Sequence, residues 1–218
     1  MATISRKIEY PTGDGKPMAE TDLHRDLMFD LIKSLQEHYA DDPLTYVSGN
    51  LLLFYEEGNK RRHLAPDVFV VRGIPKRERL NYLVWEEGKG PDLVIELTSK
   101  STRREDQSTK RDLYRDVLRV SEYFLFDPLA EYLKPPLQGF RLLNGEYSPI
   151  EPVASRLPSL VTGLHLEERG KSLRLYSPDL GRVLPTPLER AMEAEVEVER
   201  LRREIETLRR LARGGDPG

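Results

Sequence analysis

The 218-residue chain contains no cysteine, which excludes disulfides and thiolate metal sites. Histidine is scarce. The four present (His24, His38, His63 and His165) are scattered without the spacing of a ligand set, so no structural zinc is expected. No apolar stretch approaches the ~20 residues that a membrane helix needs, and no association with a membrane is expected. The opening residues, MATISRKIEY, lack the apolar core of a secretory signal, and the expected location is cytoplasmic. An excess of positive charge is missing too: 34 basic against 37 acidic residues leave a net charge of −3. Such a chain has no global attraction to nucleic acid, so any binding of DNA requires a local basic patch or a metal ion.

What is present is a chain with 38% hydrophobic and 33% charged residues, long enough for one sizeable domain with an appendage. TDLHRDLMFDLIKSLQEHY (21–39) spaces Leu23, Leu27, Leu31, Ile32 and Leu35 as a helix, with Thr21 as its N-cap. Two apolar runs around EEGNK predict a hairpin with strands near 45–56 and 63–72. LNYLVWE (80–86) reads as a short strand or the start of a helix. PDLVIELTS (91–99) is the most hydrophobic strand, a continuous run expected at the centre of a sheet and buried on both faces. Thr102 to Glu105 forms a capping box, predicting a helix through Lys110, Leu113, Tyr114 and Val117, and SEYFLFDP (121–128) is the next strand. Strand, helix and strand at this spacing form a βαβ crossover with paired parallel strands. Residues 139–176 alternate short apolar runs with Gly, Asn and Pro, as peripheral antiparallel strands do. The predicted fold is therefore α/β, a mixed central sheet flanked by helices.

Acids sit where this pattern expects core. Pro66-Asp67 and Pro91-Asp92 each start a strand, and Glu96 lies inside LVIELT. Burying a carboxylate costs several kcal/mol unless it is paired or holds a cation. Asp92 and Glu96 share a strand face, but at ~3.3 Å per residue they stand roughly 13 Å apart, too far to chelate one small ion. Asp67, on another strand, can lie beside Glu96 if the two strands are neighbours. A carboxylate pair across strand ends is a site of the kind Mg²⁺ uses, with waters and phosphate oxygens completing the octahedron. Thr98 and Lys100 fall on the Glu96 side of the strand. Lys110 lies two turns into the next helix, with Asp106 and Tyr114 four residues away on the same face.

APDVFVV, PDLVIELTSKSTRREDQSTKRDLY and SEYFLFDP together resemble the Uma2 family (also called DUF820), which is grouped with restriction endonucleases and is similar to PD-(D/E)XK nucleases in fold. The resemblance covers about residues 20–180 and is most specific over 91–128. It implies a metal-dependent phosphodiester hydrolase acting on DNA, with Asp67 and Glu96 as metal-binding acids and Mg²⁺ or Mn²⁺ as cofactor. The lysine that usually follows the glutamate by two residues is replaced by Thr98. The family supplies it from the helix, which implies Lys110 here, while Lys100 is a local rival for the same role. A main-chain carbonyl near Leu97 is expected to complete the protein ligands. Asp92, Thr98, Asp106 and Tyr114 are expected to support them from behind, and Arg103, Arg104 and Arg111 to contact phosphates. The competing expectation is a non-catalytic nucleic-acid-binding or scaffold module on a degraded nuclease fold.

LPTP at 184–187 separates a nuclease-like domain, 1–184, from a helical tail, 185–218. In the tail Ala191, Ala194, Val198, Leu201, Ile205, Leu208 and Ala212 alternate by three and four, a coiled-coil seam of about three heptads. Such a length is marginal for an isolated helix, which predicts a homo-oligomer.

Overall fold

The computed structural model describes residues 8–13, 21–98 and 105–214, except for the side chains of 105–107 and 211–214. The chain divides into two units, 1–184 and 185–218.

The first unit opens with α1 (Asp22–His38). Thr21 caps it, its Oγ1 accepting the His24 amide at 3.2 Å. Then follow β1 (Thr45–Ser48), β2 (Leu53–Phe54), β3 (His63–Leu64), β4 (Val68–Arg72), β5 (Tyr82–Leu83) and the single turn α2 (Val84–Glu87). The central strand is β6 (Leu93–Leu97). Two π-helical stretches, Glu105–Lys110 and Leu113–Val117, lead from it towards β7 (Glu122–Phe126). The remaining strands are β8 (Leu137–Leu143), β9 (Glu146–Pro149), β10 (Leu157–Pro158), β11 (His165–Arg169), β12 (Ser172–Ser177) and β13 (Arg182–Val183).

Six strands form the main sheet in the order β1-β4-β6-β7-β8-β9. Only β6 and β7 pair in parallel within it; the other neighbours are antiparallel. Successive side chains of a strand point to opposite faces, and two separate cores result. Val68, Val70, Leu93, Ile95 and Leu97 pack with Leu27, Leu31 and Leu35 of α1. Phe69, Val71 and Val94 pack with Tyr114, Tyr123 and Leu125 on the other side. Every residue of β6 is buried, as its unbroken apolar run requires.

The long hairpin predicted over 45–72 is split between two sheets. Its outer parts, β1 and β4, pair in the main sheet, whereas β2 and β3 pair in a three-stranded sheet with β5. The break has a backbone cause. Asn50 has a positive φ of 47°, a conformation Asn tolerates better than most residues. Its amide bonds to Pro66 O at 2.8 Å, and Pro66 has no amide with which to continue a ladder. Residues 80–86 hold both candidate elements, the strand β5 and the turn α2. The predicted capping box at 102–105 falls largely outside the described residues, and the helix that follows is wound as π rather than α. Of the peripheral strands, β8 and β9 extend the main sheet, while β10 to β13 form a sheet of four.

The second unit contains α3 (Pro187–Gly214). A capping box starts it: the Glu189 amide donates to Thr186 Oγ1 at 3.2 Å and the Thr186 amide to Glu189 Oε2 at 2.8 Å. Its flank carries Glu197–Arg200, Glu199–Arg203 and Glu206–Arg210 ion pairs at helical spacing. Val198, Leu201, Ile205 and Leu208 are exposed along it.

Glu122, buried at the start of β7, is an acid that sequence patterning did not single out. Its Oε1 accepts Arg141 Nε at 3.0 Å, Arg141 Nη2 at 2.9 Å and the Leu160 amide at 2.9 Å. Its Oε2 accepts Ser159 Oγ at 2.5 Å and the Val161 amide at 3.3 Å. One carboxylate thus ties β8 and the 159–161 turn to the centre of the sheet. Glu122→Ala is expected to cost about 3 kcal/mol or more, because it leaves a partly buried guanidinium and two amides without their acceptor. In a domain of this size that corresponds to a fall in Tm of about 6–12 °C, measurable by calorimetry.

Candidate active site

The register of β4 against β6 positions the two acids. Val70 pairs with Leu93, Phe69 with Val94 and Val68 with Ile95. One step further along the same antiparallel ladder, Asp67 faces Glu96. Both follow the face of Phe69 and Val94, the side on which Tyr114 packs. This pair sits at the carboxyl end of the parallel strands β6 and β7, where open α/β sheets commonly bind ligands.

Glu96 is 1% exposed, and both of its oxygens are held from the π-helical segment. Tyr114 OH donates to Oε1 at 2.5 Å and Lys110 Nζ to Oε2 at 3.1 Å. The i→i+5 winding is rare and concentrates at functional sites; here it is found where two side chains four residues apart reach one carboxylate. Burial pushes the Tyr114 hydroxyl well above its ordinary pKa, and the negative charges of Glu96 and Asp67 add to the effect. Tyr114 therefore remains a protonated donor at neutral pH. The question raised by a glutamate in the core has a first answer without a cation: an ammonium and a phenol satisfy it.

Asp67 is more open, with its side chain 15% exposed. Its Oδ2 accepts the Leu97 amide at 2.7 Å, and its Oδ1 lies 3.2 Å from His24 Nε2. A close backbone approach fixes its main chain: a Cβ at Gly49 would fall 1.9 Å from Asp67 O. His24 and Lys110 are 19% and 17% exposed. The accessible rim of the cluster is thus Asp67, His24 and Lys110, with Glu96 beneath.

The other candidates are distributed unevenly. Asp92 lies at the far end of β6, where Lys89 Nζ contacts both its oxygens at 2.8 Å and the Arg72 amide donates to Oδ2 at 2.7 Å. It is not brought to Glu96, and the length of the strand is the reason. Thr98 is buried, with its hydroxyl hydrogen-bonded to that of Tyr132. Arg111 places its guanidinium carbon 4.3 Å from the centre of the Phe140 ring, and its buried Nε has no hydrogen-bond partner among the described residues. Lys100, Arg103 and Arg104 lie outside the described residues, as does the side chain of Asp106. Leu97 contributes its amide, to Asp67.

His24 is the residue that sequence reasoning missed. Counting back from Leu31 and Leu27 by four and three reaches it, so it occupies the buried stripe of α1 near its N-terminus. A polar residue on an apolar stripe was the available signal.

Among the described residues, no three His, Cys, Asp or Glu side chains converge closely enough to form a metal cage by themselves. Mg²⁺ does not require one, because one or two carboxylates with waters and phosphates suffice. Asp67 and Glu96 present hard carboxylate oxygens on adjacent strands, a donor set that fits such an ion. Replacing Tyr114 by Phe is expected to lower stability by about 1.5–3 kcal/mol, because a buried charged acceptor loses its donor. Urea denaturation of the two proteins measures it.

The family model Uma2, described as "Putative restriction endonuclease", matches residues 3–177. No curated protein matches the chain. A solved structure, that of a putative nuclease belonging to DUF820 from Anabaena variabilis, is similar at a TM-score of 0.49 and 18% identity, covering 68% of this chain and 79% of that one. With most of its length matched by the family model, the chain belongs to the Uma2 family.

Proposed function

We propose that this protein is a Mg²⁺- or Mn²⁺-dependent phosphodiester hydrolase acting on DNA, an endonuclease of the PD-(D/E)XK type. One observation carries the reading: the β4–β6 register sets Asp67 against Glu96, with Lys110 bonded to the glutamate. Asp67 and Glu96 would hold the ion, joined by the Leu97 carbonyl. The bound metal would polarise a phosphate and acidify a water. Lys110, on the exposed rim, orients the attacking water or neutralises charge developing on the phosphate. Tyr114 keeps the Glu96 carboxylate in one orientation, and the Leu97 amide does the same for Asp67. Arg103 and Arg104, which follow β6 in the sequence, remain the candidates for phosphate contacts. An intracellular DNA substrate implies a cytoplasmic location.

A second reading has one observation in its favour. Both oxygens of Glu96 are already satisfied by Tyr114 and Lys110, as expected of a structural glutamate in a non-catalytic nucleic-acid-binding module. Cleavage separates the two. Incubated with plasmid, linear and single-stranded DNA, the protein is expected to cut in Mg²⁺ or Mn²⁺, and Glu96→Gln to abolish cutting and weaken metal binding. Lys110→Ala should slow hydrolysis on the order of 10²-fold while metal affinity stays nearly unchanged, and Lys100→Ala should cost much less. The reverse ranking moves the lysine role to Lys100. Absence of both cleavage and metal binding in the wild type leaves the non-catalytic module.

The tail adds assembly. Residues 189–199 hold five Glu and one Arg, and 200–213 hold six Arg and two Glu. Two such helices match in sign when antiparallel, since parallel pairing sets like charges side by side. A homodimer or higher oligomer held partly by α3, paired antiparallel, would cover Val198, Leu201, Ile205 and Leu208. Light scattering is expected to give a multiple of 25.2 kDa for the full chain and a lower multiple for a chain ending at Pro187. An unchanged mass after truncation would end this reading.

A further inference from the structure

Arg111 is a charge without a counter-ion. It lies between the two π-helical stretches, directly after Lys110, and is partly buried. Other enclosed arginines each have a carboxylate oxygen in contact: Arg79 with Glu87 at 2.7 Å, Arg115 with Asp116 at 2.7 Å, Arg141 with Glu122 at 2.9 Å and Arg156 with Glu167 at 2.6 Å. Arg111 makes no hydrogen bond or ion pair among the described residues. What it has instead is the face of Phe140, with the guanidinium carbon 4.3 Å from the ring centre. A ring face offsets part of the cost of enclosing a guanidinium but offers nothing to its in-plane N–H donors. Nε is the buried atom, so the donors left to a ligand are the terminal Nη1 and Nη2.

The surroundings favour an anion. Burial pushes the Tyr147 hydroxyl well above its ordinary pKa, while the positive charges of Arg111, Arg115 and Arg119 oppose it; only Asp116, the smallest contributor, acts with burial. The ring of Tyr147 is centred 6.4 Å from that of Phe140. Register relates this spot to the acids. Phe140 pairs with Tyr123 and Tyr123 with Val94, whereas Glu96 lies in line with Leu125 and Gln138. Two strand spacings and two residues of rise thus separate Phe140 from Glu96 at Cα, roughly 12 Å on the same face of the sheet.

We propose that Arg111, laid flat on Phe140, is an anion subsite that receives a backbone phosphate of the DNA beside the phosphate to be cleaved. The inference rests on DNA as the partner, which both readings above share, and it adds a contact that works without metal. Stacking fixes the plane of the guanidinium, and its outer edge then presents two N–H groups in the geometry that suits two phosphate oxygens. Such a contact fixes the register of the strand and reads no sequence.

The test uses the full chain in EDTA, so that no metal-dependent step enters. Fluorescence anisotropy with a labelled duplex oligonucleotide is expected to show binding that weakens with salt. Arg111→Met should lower the affinity about tenfold, the loss of hydrogen bonds to a charged group. It should also make the slope of log affinity against log salt shallower by roughly 0.9, the share of one phosphate contact. Met keeps an apolar contact with Phe140, and circular dichroism checks the fold. Arg111→Lys should keep the slope but recover only part of the affinity, because an ammonium lacks the planar fork. Unchanged affinity and slope in Arg111→Met, or no binding of DNA without metal, would overturn the proposal. So would inorganic phosphate that binds at Arg111 by calorimetry while the oligonucleotide ignores the substitution, which would make the ligand a free anion. Metal-free binding through Arg111 with no cleavage in Mg²⁺ or Mn²⁺ would remove the hydrolase reading and leave this subsite in place.

Discussion

The pairing of β4 with β6 is the constraint on which the rest of the site depends. In that ladder Val68, Phe69 and Val70 stand opposite Ile95, Val94 and Leu93. A slip of one residue would exchange the two faces of β4 relative to β6 and move Asp67 out of line with Glu96. The apolar residues alone resist such a slip only weakly, because both faces of these strands are buried and both read as Val, Ile, Leu and Phe. What pins the register is polar. Asp67 takes the Leu97 amide, and Asp92 takes the Arg72 amide at the other end of the same pair. The two Pro-Asp dipeptides therefore close the β4–β6 ladder from opposite ends, each aspartate accepting from the backbone of the neighbouring strand.

From that register the electrostatics follow. Two carboxylates facing each other across adjacent strands repel, and burial of one amplifies the penalty. Lys110 offsets part of it from the π-helical segment, and Tyr114 donates a hydrogen bond without adding charge. The result divides the labour. Glu96 is enclosed and immobilised by donors, whereas Asp67, His24 and Lys110 remain partly open to solvent. A rigid buried acid behind an accessible rim is what positional catalysis asks for, since small misplacements of reacting groups are costly in rate.

Much of this was legible in sequence, and the gaps have physical reasons. The central strand declared itself by its unbroken apolar run, α1 by its leucine spacing and the Thr21 cap, and the acids by standing where core was expected. The distance along one strand also separates Asp92 from Glu96 from sequence alone. The split of the 45–72 hairpin was hidden because it turns on the left-handed conformation of Asn50 and the missing amide of Pro66, which leave the hydrophobic pattern unbroken. Glu122 was hidden because its partners Arg141 and Ser159 are distant in sequence. The stacking of Arg111 on Phe140 was hidden for the same reason. π winding was not legible at all, since local propensity distinguishes it poorly from α. His24 was readable in principle, as the polar member of an apolar stripe, but its partner Asp67 lies 43 residues away.

The negative net charge finally bears on how such a site would meet a polyanion. A chain at −3 has no long-range pull on DNA, and the cluster itself opens onto a carboxylate. Lys110 is committed in part to Glu96, and Arg111 lies against Phe140. The positive charge needed to hold a phosphate at Asp67 therefore cannot come from these side chains alone. Two further sources are offered by the sequence and by the proposed reading: the basic residues Lys100, Arg103 and Arg104, and a divalent ion that would be held between the two acids. The second source would answer both problems at once, because an ion that relieved the repulsion between Asp67 and Glu96 would also reverse the sign of the field that a phosphate would meet. On the proposed metal-dependent reading, the acidity of the site would serve an attraction for DNA, and the two would be joined only with the cation in place.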